Sequence, residues 1–182
     1  MPQRLQKARI LFLLTEGFSS RHVTPLQDCL RGEGATIFTA SFNRGDTLTS
    51  QDGEMRVTSD YAFATAAQEI FDAVILADNV TAEAILENPA AMNTVTTAWE
   101  RGKAVVAIEK GVLALIGAGI ADNALVTTPP EYRDDLLNAG AKIAATPIAM
   151  RENILTARQD ADMQILCADI VSFLAGRQTK AA

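Results

Sequence analysis

Short apolar runs recur along this chain and limit what it can fold into. Ala8–Thr15 (ARILFLLT), Ala35–Ser41 (ATIFTAS), Ala73–Ala77 (AVILA) and Ala104–Ile108 (AVVAI) are bounded by turn-formers and separated by stretches of helical periodicity. Runs this short and this continuously apolar read as strands of a parallel sheet covered on both faces. Between them, Val23, Leu26 and Leu30 follow helical spacing up to Gly32 and Gly34. Asn88-Pro89 supplies the N-cap and first-turn proline of a helix that reaches Arg101 and ends at Gly102. Thr81 starts a shorter helix, Gly111–Ala118 reads as another, and Pro130 opens one that stops at Gly140. Met163, Leu166, Cys167, Ile170, Val171 and Leu174 mark an amphipathic helix over Asp160–Leu174. Phe42–Thr58 holds Asn43-Arg44-Gly45 and Asp52-Gly53 and reads as a small hairpin. Strands alternating with helices predict an α/β fold, a flavodoxin-like three-layer sandwich with a mostly parallel sheet and helices on both faces. The expected organisation is one domain over residues 1–182, with an ordered core from about 8 to 175 and a tail from 176 to 182.

Composition narrows the function classes. Hydrophobic residues make up 48% and charged residues 21%, as in ordinary globular domains. A net charge of −6 opposes binding to a phosphate backbone, so no nucleic-acid partner is expected. No apolar run has the length of a membrane span, and MPQRLQKAR is not followed by a separate apolar segment and cleavage site. A cytoplasmic location with no membrane contact is therefore expected. With one histidine and no paired-cysteine motif, no metal site is expected. Gly117 and Gly119 lack the rest of a dinucleotide fingerprint, so no cofactor is expected either. Cys29 and Cys167 are far apart and read as free thiols in a reducing compartment, Cys167 as core packing.

Ligands of open α/β sheets bind beyond the carboxyl ends of the strands. That rule selects the loops Glu16–His22, Ala77–Glu83 and Glu109-Lys110. The run AVVAIEKG reads as strand, sharp turn and helix, a layout whose tip often carries a nucleophile, and here the tip is Glu109. The candidate constellation is Glu16, Ser19, His22, Glu83, Glu109 and Lys110. Its carboxylates suit acid–base work if burial raises one pKa, and otherwise form a solvated rim of charge.

The order of these pieces resembles the ThiJ/PfpI superfamily, with its class I glutamine amidotransferase-like fold. The resemblance is carried by LFLLTEGF, FDAVILA, GKAVVAIEKGVLALIGAG, PPEYRDDLLNAGA and NILTARQDAD, the last two closest to the PfpI intracellular protease-like branch. It implies that Ala107-Ile108-Glu109-Lys110-Gly111 stands where the family has alanine-isoleucine-cysteine-histidine-glycine. Glu109 then replaces the nucleophilic cysteine and Lys110 the adjacent histidine. The family's first-loop acids fall near Ser19 and His22, with Glu16 close by but out of register. The family's proline-glycine-glycine becomes Ala77-Asp78-Asn79. Glu83 aligns with a glutamate that a neighbouring subunit contributes in the protease-like branch. A thiolate needs a base, oxyanion donors and a tuning acid. Their joint replacement implies a stress-related, binding or structural pseudoenzyme, for which the family's peptidase, deglycase or glyoxalase activity is not expected. The alternative is a hydrolase or lyase using Glu109 as general base or carboxylate nucleophile, with Lys110 or His22 as its electrostatic partner. That alternative calls for a pocket lined by Glu16, Asp78 and Asn79. The resemblance also implies a homodimer or larger homo-oligomer, and a small-molecule ligand at the elbow pocket.

Overall fold

The structure is a computed structural model describing residues 3–181. Its centre is a seven-stranded sheet. In chain order the main elements are β1 (Arg9–Leu13), α1 (Ser20–Gly32), β2 (Thr36–Ser41), the hairpin β3 (Thr47–Thr49) and β4 (Arg56–Thr58), β5 (Tyr61–Ala62) and α2 (Phe63–Ala66). Then come β6 (Ala73–Leu76), α3 (Asn79–Ile85), α4 (Pro89–Glu100), β7 (Ala104–Ile108) and α5 (Ala114–Gly117). The chain ends with β8 (Leu125–Val126), α6 (Arg133–Asn138), β9 (Lys142–Ile143), β10 (Ile148–Arg151), β11 (Ile154–Ala157) and α7 (Met163–Ala181). The sheet order is β10-β11-β7-β6-β1-β2-β5, parallel throughout except for the antiparallel edge pair β10–β11. This is the mostly parallel, flavodoxin-like three-layer α/β fold that the apolar runs predict.

Strand alternation sends side chains into two cores. Ile10, Phe12, Leu14, Ile75, Val106 and Ile108 face a layer containing Leu26 and Leu30 of α1 and Leu166, Ile170 and Leu174 of α7. Leu11, Leu13, Val74, Leu76 and Val105 face the opposite layer, with Ile85, Met92, Val95, Val112 and Leu115. Helix α4 starts as the sequence predicts: Asn88 Oδ1 accepts from the Ala91 amide at 3.0 Å, and Pro89 occupies the first turn.

Three expectations need correction. The helix read over Gly111–Ala118 begins as a 3-10 turn, Glu109–Leu113, before α5. The chain leaves β7 too sharply to enter an α-helix directly. Helix α7 runs to Ala181, so most of the segment read as a tail is helical; Ala182 lies outside the described residues. Cys29 and Cys167 are not free thiols: they form a disulfide between α1 and α7, with Cα atoms 6.6 Å apart and a sequence separation of 138. Nothing in their spacing announces the bond, because two helices packed on the same sheet face bring them together. Among the described residues no helix is long and apolar enough to cross a membrane.

Candidate functional site

The central strands β7, β6 and β1 end side by side, and their loops build the site. Glu109 directly follows β7 and has φ +52°, a left-handed conformation that non-glycine residues adopt at a cost of about 1–2 kcal/mol. The turn can be this tight because the next residue but one is a glycine. A Cβ on Gly111 would lie 2.7 Å from the Leu76 carbonyl oxygen, so the 3-10 turn presses directly on the β6 backbone.

Asn79, the first residue of α3, locks the elbow from the neighbouring loop. Its Nδ2 donates to Glu109 Oε2 at 2.7 Å, and its Oδ1 accepts from the Lys110 amide at 2.9 Å. Asp78 holds Asn79 in place by capping α3: its Oδ1 accepts from the Thr81 amide at 2.9 Å and from the Ser19 amide at 3.3 Å. Thr81 Oγ1 in turn accepts from the Thr15 amide at 3.1 Å, tying α3 to the end of β1. Asp78 is 2% exposed, its Oδ2 has no partner among the described residues, and burial raises its pKa against the pull of its amide donors.

His22, in the first turn of α1, faces Glu109 from the other side. Nδ1 lies 3.5 Å from Glu109 Oε1, and the two side chains are only 8% and 13% exposed. Burial pushes the imidazole below its ordinary value and outweighs the favourable field of Glu109; Arg21 pushes the same way as burial, while Ala77 and Asp78 oppose it. The consequence for stability has a definite sign. Where the folded pKa lies below the unfolded one, the unfolded chain binds more protons. Stability is then fully present above the ordinary histidine value of about 6.5 and falls as the pH drops toward the folded value. We expect the urea midpoint of the wild type to fall between pH 7.5 and 5, and that of His22→Gln to fall less over the same range. Equal slopes would exclude His22 as the source.

Of the two partners expected for Glu109, the geometry selects His22 over Lys110, and it sets the expected pocket residue Glu16 apart. Lys110 does not balance Glu109; its Nζ pairs with Glu83 at 3.1 Å, and the Glu83 side chain is 76% exposed. Glu16 does not join the elbow either. Its Oε2 accepts from the Thr49 amide at 2.9 Å, which fastens the β3–β4 hairpin to the loop after β1. Two further bonds complete this strap, Gly17 N to Thr49 O and Gln51 N to Phe18 O, while Ser20 donates its hydroxyl to Asp52. Ser19 enters through its backbone amide, with no capping bond from its hydroxyl. Sequence reasoning names Asp78 and Asn79 only as pocket-lining and misses their roles as cap and clamp. The Asp-Asn pair ahead of a helical stretch is an N-cap signal that could have found the first of these. Thr15 and Thr81 carry no such signal.

A cleft of about 560 Å³ opens at the same sheet edge, lined by Thr128, Pro129, Arg133, Ile143, Arg158 and Asp160. It lies on the β11 side: Ala157 of β11 pairs with Ile108 of β7, so Arg158 and Glu109 are the residues that follow this last pair. The cleft is therefore lined by other residues than the Glu16, Asp78 and Asn79 that the sequence points to. Among the described residues, no group of three His, Cys, Asp or Glu side chains is placed to hold a metal ion.

A doubly covered parallel sheet, with a strained residue at the tip of a central strand and a helix behind it, defines an elbow-bearing α/β sandwich. The sequence matches the DJ-1/PfpI family over residues 8–172, and the chain belongs to that family. It is 29% identical over 166 residues to a deglycase of Pyrococcus horikoshii, covering 91% of this chain and 99% of the relative. With the deglycase PfpI of Pyrococcus furiosus the identity is 27%, at the same coverage. The fold is like that of Drosophila melanogaster DJ-1beta, with a TM-score of 0.81, 21% identity and coverage of 93% of this chain and 91% of that one. A two-domain protein from Anabaena variabilis with DJ-1/ThiJ/PfpI-like and ferritin-like domains gives a TM-score of 0.85 at 23% identity. That match covers 92% of this chain and 48% of the Anabaena chain, so this chain spans about half of its length.

Proposed function

We propose that this protein is a DJ-1/PfpI-family member whose elbow presents a fixed carboxylate in place of a thiol nucleophile, and that it works as a non-catalytic, stress-related binding or structural homologue. The observation that carries this reading is the clamp on Glu109. One carboxylate oxygen is held by Asn79 and the other faces His22 at 3.5 Å. An anion fixed in this way is a far poorer nucleophile toward carbonyl carbon than a thiolate, and attack would first require breaking a charge-assisted hydrogen bond. The cleft beside β11 supplies the space for a small-molecule ligand, and the exposed Glu83, paired with the half-buried Lys110, is suited to a boundary between copies of the chain in a homo-oligomer. The relatives named deglycases make dicarbonyl turnover the activity to test.

The experiment follows methylglyoxal loss with wild type, Glu109→Ala and Glu109→Cys side by side. The expected result is no turnover above buffer for the first two; turnover gained by Glu109→Cys would add that the rest of the pocket keeps a catalytic shape. Turnover by the wild type that Glu109→Ala abolishes would overturn the reading. It would favour a second one, in which Glu109 and the neutral His22 form an acid–base pair. The burial of both side chains and their close approach favour that alternative. Its mark would be a pH–rate profile whose acid limb shifts in His22→Gln.

A further inference from the structure

We propose that the Cys29–Cys167 disulfide is a redox-controlled staple that keeps α1, and with it His22, seated against the Glu109 elbow. Three observations combine. Cys29 and His22 lie on one continuous helix, two turns or about 10 Å apart. The bond joins that helix to α7, whose Cys167 is 0% exposed in the core. Between the two functional positions, Gln27 is 1% exposed, and neither its Nε2 nor its Oε1 has a partner among the described residues. A buried, unpaired amide favours any movement that returns it to water. Helix α1 is thus held down by a covalent link while one of its own side chains works to lift it. Reduction removes the link and leaves the lifting tendency.

The exchange needs a dithiol reductant, and its course follows from exposure. Cys29 is partly exposed and Cys167 is not. A reductant thiolate therefore attacks the Cys29 sulfur, forming a mixed disulfide and expelling the Cys167 thiolate. The reductant's second thiol then displaces Cys29 and leaves as the oxidised cyclic disulfide. The protein takes up two electrons and two protons and ends with two thiols. In a reducing compartment a bond of this kind is transient, which suits a switch. The groups facing His22 that would sense the movement are Glu109 from the elbow, Asp78 from the α3 cap and Arg21 from α1 itself. The proposal does not depend on whether Glu109 turns over a substrate.

The test uses the full chain, air-oxidised and then reduced with dithiothreitol. Mass spectrometry after denaturing alkylation should show no modified cysteine before reduction and two after. Reduction should lower Tm by about 5–10 °C, with no such response in a Cys29→Ser/Cys167→Ala double variant. His22 is the chain's one histidine, so its imidazole resonance can be titrated without assignment. Its pKa should rise toward the ordinary value on reduction, and Gln27→Leu should suppress that rise. Two free thiols in the oxidised protein would overturn the proposal. So would an identical His22 titration in the two redox states, which would reduce the bond to a structural cross-link.

Discussion

Asp78→Ala should cost about 2–3 kcal/mol, the sum of the lost Thr81 cap bond and of the half-buried Ser19 amide left without its acceptor. The carboxylate receives the Thr81 and Ser19 amides. Thr81 is 0% exposed, so no bulk water replaces the lost oxygen. Asp78→Asn keeps an acceptor at Oδ1 and should stay within about 1 kcal/mol of wild type. The pair separates the capping role from the charge. Because burial raises the Asp78 pKa, the folded chain binds the extra proton between the unfolded and folded values. Asp78 alone therefore makes the wild type lose stability as pH rises through that window, a contribution absent from Asp78→Asn. Urea midpoints at pH 4 and pH 7 measure both effects. An alanine variant within about 0.5 kcal/mol of wild type would show that the cap does not hold the α3 loop.

Gly111→Ala should cost about 3 kcal/mol, at the upper end for overpacking, because the contact is with backbone. The new Cβ would meet the Leu76 oxygen at 2.7 Å and Leu76 Cγ at 3.2 Å, and Leu76 ends a strand paired on both sides. Relief has to come from the elbow, moving Glu109 away from Asn79. Gly32→Ala is the control: its Cβ meets nothing within 4 Å, and the change should be within about 1 kcal/mol of neutral. Thermal melts of the two variants decide the matter. Equal Tm values would mean that the elbow yields at no cost.

What the sequence discloses here follows from how local each signal is. The buried strands and the Asn88-Pro89 helix start are written in contiguous residues, and the structure reproduces them within a residue or two. The elbow was visible for the same reason, as an apolar strand running into Glu109-Lys110-Gly111. Of its partners, His22 is legible only as an alternative to Lys110, and the Asn79 clamp is not legible at all. The choice of Glu83 over Glu109 by Lys110, and of Thr49 over the elbow by Glu16, depends on where three separate loops lie relative to one another. The pairing of Cys29 with Cys167 depends on two helices meeting across 138 residues. Identities of side chains do not encode those distances.

The two-ended grip of Asn79 has a consequence for anything that enters the elbow. One amide group serves both the Glu109 carboxylate and the Lys110 backbone. A guest that competes for the carboxylate and turns the Asn79 side chain away also deprives the main chain of its acceptor. The availability of the charge and the shape of the turn therefore behave as a single variable, and occupancy is transmitted to the backbone without any second contact.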